Sequence, residues 1–273
     1  MIRIKDLGFS YGDKIVLKDI TMTLEEGRIY GLLGENGVGK TTLLTLLCGL
    51  KKVKAGSIDI DGHDPYGRQP SLLSDLYYLS DEVPAMNMKA QAYAENYGKF
   101  WEGFDMGKFM TIMEELDNDP QQKMNKMSFG QLKKTYIAFA LACNTKYLLM
   151  DEPTNGLDIP SKAQFRKAIM KHTREDSSLL ISTHQVRDLE NIIDPIIILD
   201  KKEVLLNASI EQIADKLYFD YSSEKIAGAL YSEMVPGGSI QVLPNTEKKD
   251  SKVNIEALFN TVHQHKELIK GMF

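Results

Sequence analysis

An eight-residue segment at positions 34–41 carries the clearest chemical signal in this sequence of 273 residues. It matches the pattern Gly-x-x-x-x-Gly-Lys-Ser/Thr, in which backbone N–H groups at a helix N-terminus surround phosphate oxygens. Its lysine would reach the terminal phosphates of ATP, and its threonine hydroxyl is an oxygen ligand suited to Mg²⁺. We expect nucleotide contacts from Gly34, Glu35, Asn36, Gly37, Val38, Gly39, Lys40, Thr41 and Thr42.

Two adjacent carboxylates follow an apolar run at 147–150. Asp151 and Glu152 would stand at the C-terminal end of a buried strand, the edge at which parallel α/β sheets bind ligands. Because neighbouring residues on a strand point in opposite directions, the pair can serve two roles. We assign Asp151 to Mg²⁺ through water, and Glu152 to the attacking water as general base. Taken alone, an acidic pair of this kind would more often be a solvated strand end.

A histidine follows a second apolar run, 179–181, which would carry it to the same sheet edge. We expect His184 to form a hydrogen-bonded clamp between the γ-phosphate and Glu152. Lys40, Glu152 and His184 are therefore the predicted catalytic residues, and Thr41 and Asp151 are predicted metal ligands. Together these segments predict that ATP is bound and hydrolysed.

Apolar patterning indicates the elements that would position these residues. Four apolar runs are typical of buried strands: 28–33, 147–150, 179–182 and 196–199. Three stretches between or beside them favour helices: 40–48, 161–172 and 185–192. Such alternation predicts a parallel sheet covered on both faces. Half-exposed patterns at 2–5 and 15–24 predict an antiparallel edge sheet.

The remaining segments suggest two additions to this core. Residues from about 85 to 141 lack β-rich runs and are rich in Met, Ala, Lys and Glu, which favours a helical subdomain. Past a turn at 236–238, a helix is expected from about Asn254, with an apolar stripe that must dock on its own core or on a second copy.

We therefore predict an α/β fold with a P-loop NTPase-like parallel sheet, an antiparallel β edge subdomain, a helical subdomain and a small C-terminal extension. The ATPase domain would span 1–206, with the helical subdomain at about 85–141, and the extension would span 207–273.

Composition and charge limit the cellular location and the classes of binding partner that we expect. A formal net charge of −5 argues against binding to a nucleic-acid backbone. The first residues lack the apolar stretch of a secretory signal, and the apolar runs are too short to span a bilayer. We expect a cytoplasmic chain that reaches the membrane through a partner. Cys48 and Cys143 are interpreted as buried small hydrophobes rather than as a disulfide or metal site.

The ordered segments resemble the nucleotide-binding subunit of an ATP-binding cassette (ABC) transporter over about residues 1–206. Positions 127–131, Met-Ser-Phe-Gly-Gln, are similar to the family signature Leu-Ser-Gly-Gly-Gln, and 156–158, Gly-Leu-Asp, match its D-loop. The residues alone leave open that the signature serine is a plain helix cap.

The resemblance implies that Ser128 and Gly130 bind the γ-phosphate held by the other protomer's glycine loop. ATP would thus be shared across a head-to-tail dimer, formed by two copies or with a related ATPase subunit. It also implies nucleotide contacts by Gln131 and Asp158, and stacking of adenine on Tyr11.

Two positions depart from the family pattern. Phe129 replaces the first signature glycine, and Asp81 stands where the family has a glutamine that touches Mg²⁺ and the membrane partner. We expect Asp81 to meet a metal-bound water while adding negative charge beside the phosphates. The surface from 81 to 100 would receive a cytoplasmic helix of the partner, with contacts from Val83, Pro84, Met86 and Tyr93.

By resemblance, the leading hypothesis is the ATPase subunit of an ABC transporter that works with transmembrane permease subunits. A single cassette, a short helical insert and a C-terminal extension favour an exporter. The alternative is a soluble cassette ATPase that acts on ribosomes or DNA. Such proteins usually carry a second cassette or long coiled coils, and the sequence has neither. A non-catalytic regulator is disfavoured by the presence of Lys40, Asp151, Glu152 and His184 together.

Overall fold

Alternating strands and helices organise the protein, which we describe from a computed structural model covering residues 1–224 and 226–273. The strands in these ranges are β1 (Ile2–Tyr11), β2 (Lys14–Leu24), β3 (Ile29–Leu33), β4 (Ala55–Ile60), β5 (Leu76–Leu79), β6 (Tyr147–Asp151), β7 (Ser178–Thr183), β8 (Ile196–Asp200), β9 (Glu203–Ala208), β10 (Leu217–Ser222), β11 (Tyr231–Val235) and β12 (Gly238–Pro244). The α-helices in these ranges are α1 (Lys40–Leu47), α2 (Pro70–Ser74), α3 (Ala90–Tyr97), α4 (Met106–Glu115), α5 (Phe129–Ala142), α6 (Ile159–His172), α7 (Ile210–Lys216), α8 (Ile255–Gln264) and α9 (Lys266–Met272).

The central sheet has the strand order β5-β6-β7-β3-β8-β9. Its neighbouring strands are parallel except for β8 and β9, which are antiparallel. Every residue of β6, β7 and β8 is buried, because helices cover both faces of a sheet of this type. The prediction of a parallel sheet built from buried apolar strands is therefore confirmed.

The two predicted subdomains flank this sheet. Strands β2, β1 and β4 form the antiparallel sheet, whose apolar side chains share a core with the leucines of α1. Helices α3, α4 and α5 form the helical subdomain. An aromatic cluster around Phe139 joins that subdomain to β5, since the ring of Tyr77 lies 5.7 Å from the ring of Phe139.

The C-terminal extension contains a sheet that the sequence patterns did not predict, with the order β10-β12-β11. The predicted final helix is confirmed as α8, and the Asn254 side chain accepts a hydrogen bond from the Ala257 N–H at 2.8 Å to cap it. Its stripe residues Ile255, Leu258 and Val262 are buried in the same core as the central sheet. The stripe therefore docks on its own chain.

One predicted helix is wrong. Residues 185–192 form only a short 3₁₀ turn at Val186–Asp188. The carbonyl of Asp188 accepts a hydrogen bond from Arg166 at 3.0 Å, and its carboxylate accepts one from Thr154 at 3.1 Å. In a continuing helix the Asp188 carbonyl would accept the N–H of Ile192, which instead donates to the Leu189 carbonyl at 2.9 Å.

Within the described ranges, no helix is long and apolar enough to cross a lipid bilayer. The two cysteines are buried and unbonded to each other, as interpreted from the sequence.

Candidate nucleotide-binding and hydrolytic site

The glycine loop at 34–39 connects β3 to α1. A Cβ atom on Gly34 would lie 2.6 Å from the carbonyl oxygen of Leu199, so only glycine allows this close approach to β8. Gly39 has φ of 117° and stands at the N-cap of α1, a conformation that L side chains rarely adopt. The loop therefore directs the first N–H groups of α1 into the space above the sheet edge.

Lys40 is buried at the centre of the loop. Its Nζ donates hydrogen bonds to the carbonyl oxygens of Gly34 at 2.7 Å and Glu35 at 3.2 Å, and lies 3.4 Å from Oε1 of Glu152. On the opposite side of α1, apolar residues anchor the helix in the core: Leu43, Leu44, Leu46 and Leu47. The loop, the ammonium and the acidic strand end are thereby held together.

Thr41 and Asp151 meet at the end of β6. The threonine hydroxyl donates to Oδ2 of Asp151 at 2.6 Å, and the Ser182 hydroxyl donates to Oδ1. Asp151 is 2% exposed, so these two hydroxyl groups fix the orientation of a buried carboxylate. The negative charge of Asp151 also affects a neighbour: burial raises the pKa of the Tyr78 hydroxyl, and this charge raises it further.

Glu152 lines the same cavity as Asp151, although neighbouring residues on a strand normally point in opposite directions. Its φ is 45°, so the chain leaves β6 in a left-handed conformation that costs about 1–3 kcal/mol for a residue other than glycine. Both carboxylates therefore line one cavity, and the two roles assigned to them stay predictions. Nδ1 of His184 lies 2.9 Å from Oε2 of Glu152, as the predicted clamp requires.

Tyr11 lines the same cavity as these carboxylates. Its side chain is 49% exposed, and its hydroxyl is 3.4 Å from the hydroxyl of Thr42. The Phe9 ring packs edge-on against it with the ring centres 5.0 Å apart, and the ammonium of Lys51 lies 5.3 Å from the centre of the Tyr11 ring. The cavity measures about 290 Å³, and its lining residues are Tyr11, Lys14, Val16, Asn36, Gly37, Gly39, Lys40, Thr41, Thr42, Asp81, Asp151 and Glu152.

The signature segment begins α5 at a different place. Ser128 and Gln131 form a reciprocal capping box, in which the Ser128 N–H donates to the Gln131 side chain at 2.9 Å and the Ser128 hydroxyl accepts from the Gln131 N–H at 3.2 Å. Asp158 similarly caps α6 by accepting from the Ser161 N–H at 2.9 Å. The lining of the cavity around Lys40 does not include Ser128, Gly130, Gln131 or Asp158, so one chain does not bring all predicted contacts together. His184 is also outside the lining and reaches the site through its contact with Glu152.

Asp81 lines the cavity, and its carboxylate is also paired with Lys133 and Asn155. The ammonium of Lys133 lies 3.3 Å from the carboxylate, and the Asn155 side chain donates to it at 3.2 Å. Burial lowers the pKa of the Lys133 ammonium, and the Asp81 carboxylate opposes this effect. Of the predicted partner-facing residues, Tyr93 is buried against Phe139 and is a wrong prediction, because its ring completes the aromatic cluster.

Three polar residues of the site were not assigned a role from the sequence. Ser182 holds Asp151 and also accepts the backbone N–H of Glu152 at 3.1 Å, while Lys133 and Asn155 hold Asp81. Ser182 could have been found as the polar residue that ends an apolar strand beside the acidic pair. Lys133 gave no such signal, because lysines on amphipathic helices are usually exposed.

This fold and site define a phosphate-loop ATPase of the cassette type, with a glycine loop, paired carboxylates and a histidine at the edge of one parallel sheet. The family profile described as ABC transporter matches residues 17–155. The chain belongs to the ABC transporter family. It is an ATP-binding subunit and an ATPase of this family, whose ATP-binding proteins dimerise and partner with transmembrane subunits.

Individual relatives agree with this assignment. The chain is 29% identical over 249 residues to the ABC transporter ATP-binding protein NatA of Bacillus subtilis, covering 87% of this chain and 99% of NatA. It is 32% identical over 227 residues to the ATP-binding protein YdbJ of the same organism, covering 77% of this chain and 70% of YdbJ. Its fold is similar to a dimeric ATP-binding cassette bound to ADP and Pi, with a TM-score of 0.66, 21% identity, and coverage of 77% of this chain and 98% of the other.

Proposed function

We propose that two copies of this chain close head-to-tail around two ATP molecules and drive export through transmembrane permease subunits. The observation that carries this proposal is the division of the predicted contacts between two places. Lys40, Thr41 and Glu152 line the cavity, whereas Ser128 and Gly130 lie outside it. A second copy can supply the signature helix to the cavity of the first, and closure then completes each site.

The residues at the end of β6 fit a magnesium ion. Thr41 and Asp151 bring a hydroxyl and a carboxylate within 2.6 Å of each other, and Mg²⁺ prefers such oxygen ligands together with substrate phosphates and water. The nucleotide and water would supply the other ligands of such an ion. When bound, Mg²⁺ would neutralise charge on the β- and γ-phosphates.

Hydrolysis follows from the positions of the remaining side chains. The Glu152 carboxylate accepts a proton from water as the water oxygen attacks the γ-phosphorus, and the bond from that phosphorus to the β,γ-bridging oxygen breaks, which gives ADP and phosphate. His184 holds Oε2 of Glu152, and Oε1, which lies 3.4 Å from Nζ of Lys40, is the oxygen left to accept the proton. Lys40, with Nζ at the centre of the glycine loop, stabilises the charge on the phosphate oxygens.

Further contacts belong to the same proposal. Tyr11 stacks on adenine, supported by its partly exposed side chain and its place in the cavity lining. Asp81 faces a metal-bound water with one side of its carboxylate, supported by its place in the cavity lining. Gln131 and Asp158 contact the nucleotide in this proposal, supported by their places in the first turn of α5 and at the N-cap of α6.

The partner surface lies on the helical subdomain. Phe100 is 68% exposed there, and Pro84 is exposed next to the half-buried Val83 and Met86. An apolar ridge of this kind suits a short helix from a membrane subunit, which would bring the chain to the cytoplasmic face of the membrane. Residues 1–206 would form the ATPase domain and 207–273 the extension, although that boundary falls within β9.

Fractionation of the native host tests the membrane role. A tagged chain should sediment with membranes, and alkaline carbonate should release it, because it would be bound through protein subunits rather than inserted. Detergent extracts should yield the tagged chain together with integral membrane proteins. Sedimentation with ribosomes, with none of the chain in the membrane fraction, would favour the alternative of a soluble cassette ATPase.

A further inference from the structure

A buried lysine outside the nucleotide cavity connects the Asp81 loop to the helix that follows the signature segment. Lys133, on α5, has 0% of its side-chain surface exposed. Its ammonium donates to the backbone oxygen of Asp81 at 2.6 Å and to the carboxylate of the same residue at 3.3 Å. Burying an ammonium is costly unless it is paired and hydrogen-bonded, so these contacts fix where Lys133 lies.

The same ammonium is linked to the loop that follows the catalytic carboxylates. Nζ of Lys133 lies 6.0 Å from the centre of the Phe129 ring, one helical turn earlier. The ring packs on Gly156, where an added Cβ would lie 2.3 Å from ring atoms. Asn155 donates to the Asp81 carboxylate and completes a closed set of contacts. We call this set the Lys133 cluster, and it consists of Asp81, Phe129, Lys133, Asn155 and Gly156.

The cluster joins segments that face two different nucleotides. Asp81 lines the cavity of this chain's own glycine loop. Phe129 stands between Ser128 and Gly130, which the proposed function assigns to the ATP of the partner. Resting on that function, we propose that Lys133 is a positioning residue that neutralises Asp81 beside the phosphates and fixes loop 80–82 to the first turn of α5.

Steady-state ATP hydrolysis measures this role. Lys133→Met should lower kcat about tenfold while KM for MgATP changes by less than about threefold, because the contacts of the glycine loop remain. Lys134→Met is the matched control, since the neighbouring ammonium donates to the Leu116 carbonyl at 2.8 Å, outside the cluster. The control should keep the wild-type kcat. Equal kcat values for Lys133→Met and Lys134→Met would overturn the proposal.

A double-mutant cycle separates positioning from general damage to the fold. Lys133→Met leaves the Asp81 carboxylate without its ammonium, so adding Asp81→Asn removes the unpaired charge. The double variant should be at least about threefold faster than Lys133→Met alone, a coupling expected only for residues that interact. If the two single effects multiply within about twofold, the pair is not coupled in catalysis and the proposal fails.

Amide hydrogen exchange supplies a readout that does not need activity. Exchange in the peptide spanning 78–84 should be faster in Lys133→Met than in wild type and unchanged in Lys134→Met. Equal exchange in all three proteins would overturn the proposal. If Lys133→Met does not fold, the charge-neutral double variant takes its place in this measurement. Absence of ATP hydrolysis by the wild type would refute the proposed function, and exchange alone would then decide the role of Lys133.

Discussion

Replacing Glu152 by glutamine changes one carboxylate oxygen to an amide nitrogen with almost no change in volume. In the wild type, Oε2 faces Nδ1 of His184 at 2.9 Å and its backbone N–H at 3.3 Å, and Oε1 lies 3.4 Å from Nζ of Lys40. A glutamine oxygen in the place of Oε2 can keep both contacts with His184. Lys40 also keeps its two carbonyl acceptors in the glycine loop, so folding and ATP binding should survive.

Glu152→Gln should lower kcat strongly while it changes the stability of the fold little. A positioned general base contributes about 10²- to 10⁴-fold to a rate, so kcat should fall by that factor, or about 3–5 kcal/mol in activation free energy. Phosphate release under single-turnover conditions measures the rate, and a fluorescent ATP analogue measures binding. Glu102→Gln, at an exposed glutamate, is the matched control. A kcat for Glu152→Gln within about threefold of wild type would refute the assignment of Glu152 as base.

Three other variants test the site and its support. Tyr11→Ala should raise KM for MgATP by about 5- to 150-fold, because one aromatic stacking contact is lost, whereas Tyr11→Phe should leave KM unchanged. If Tyr11→Ala and wild type have equal KM values in steady-state assays, Tyr11 does not stack on adenine. Phe139→Ala should lower the free energy of unfolding by about 3–5 kcal/mol in urea titrations, because Phe139 is fully buried in the aromatic cluster; a loss below about 1 kcal/mol would show that this cluster does not hold the helical subdomain. Burial acts to raise the pKa of the Asp61 carboxyl, but the hydrogen bond from Lys146 helps to hold it well below its usual range. A depressed carboxyl pKa stabilises the fold above about pH 4, and that contribution is lost as the pH falls through the folded-state pKa. Asp61→Asn should therefore lower the urea midpoint at pH 7, with a difference from wild type that shrinks below about pH 4; a difference that stays constant with pH would contradict this.

Much of the core could be predicted because the local sequence patterns agree with the tertiary packing of these segments. The glycine loop has a fixed sequence pattern, and the leucines of α1 mark the buried face of that helix. Strands β6, β7 and β8 are buried on both faces, so their sequences are continuous apolar runs. The small sheet β10-β12-β11 was missed because its strands are mostly half-exposed, and β11 and β12 lack a regular alternation of buried and exposed residues.

The site was less predictable where tertiary contacts override local pattern. The left-handed backbone of Glu152 brings both carboxylates into one cavity, and a non-glycine residue gives no warning of this. Residues 185–192 have a helix-like sequence, but the side chain of Arg166, from another part of the chain, donates a hydrogen bond to the Asp188 carbonyl. Lys133 is buried only because Asp81 and the neighbouring carbonyls meet it, and sequence periodicity carries no information on such a pairing.

Whether ATP is held between two copies of the chain is tested most directly by the molar mass of the Glu152→Gln variant. Light scattering after gel filtration should give 30.8 kDa without nucleotide, twice that mass with MgATP, and 30.8 kDa again with ADP. Adding Ser128→Arg should prevent the MgATP-dependent increase, because the substitution places bulk and charge at the start of α5. A Glu152→Gln protein that binds MgATP but keeps the monomer mass at every protein concentration would contradict the shared site.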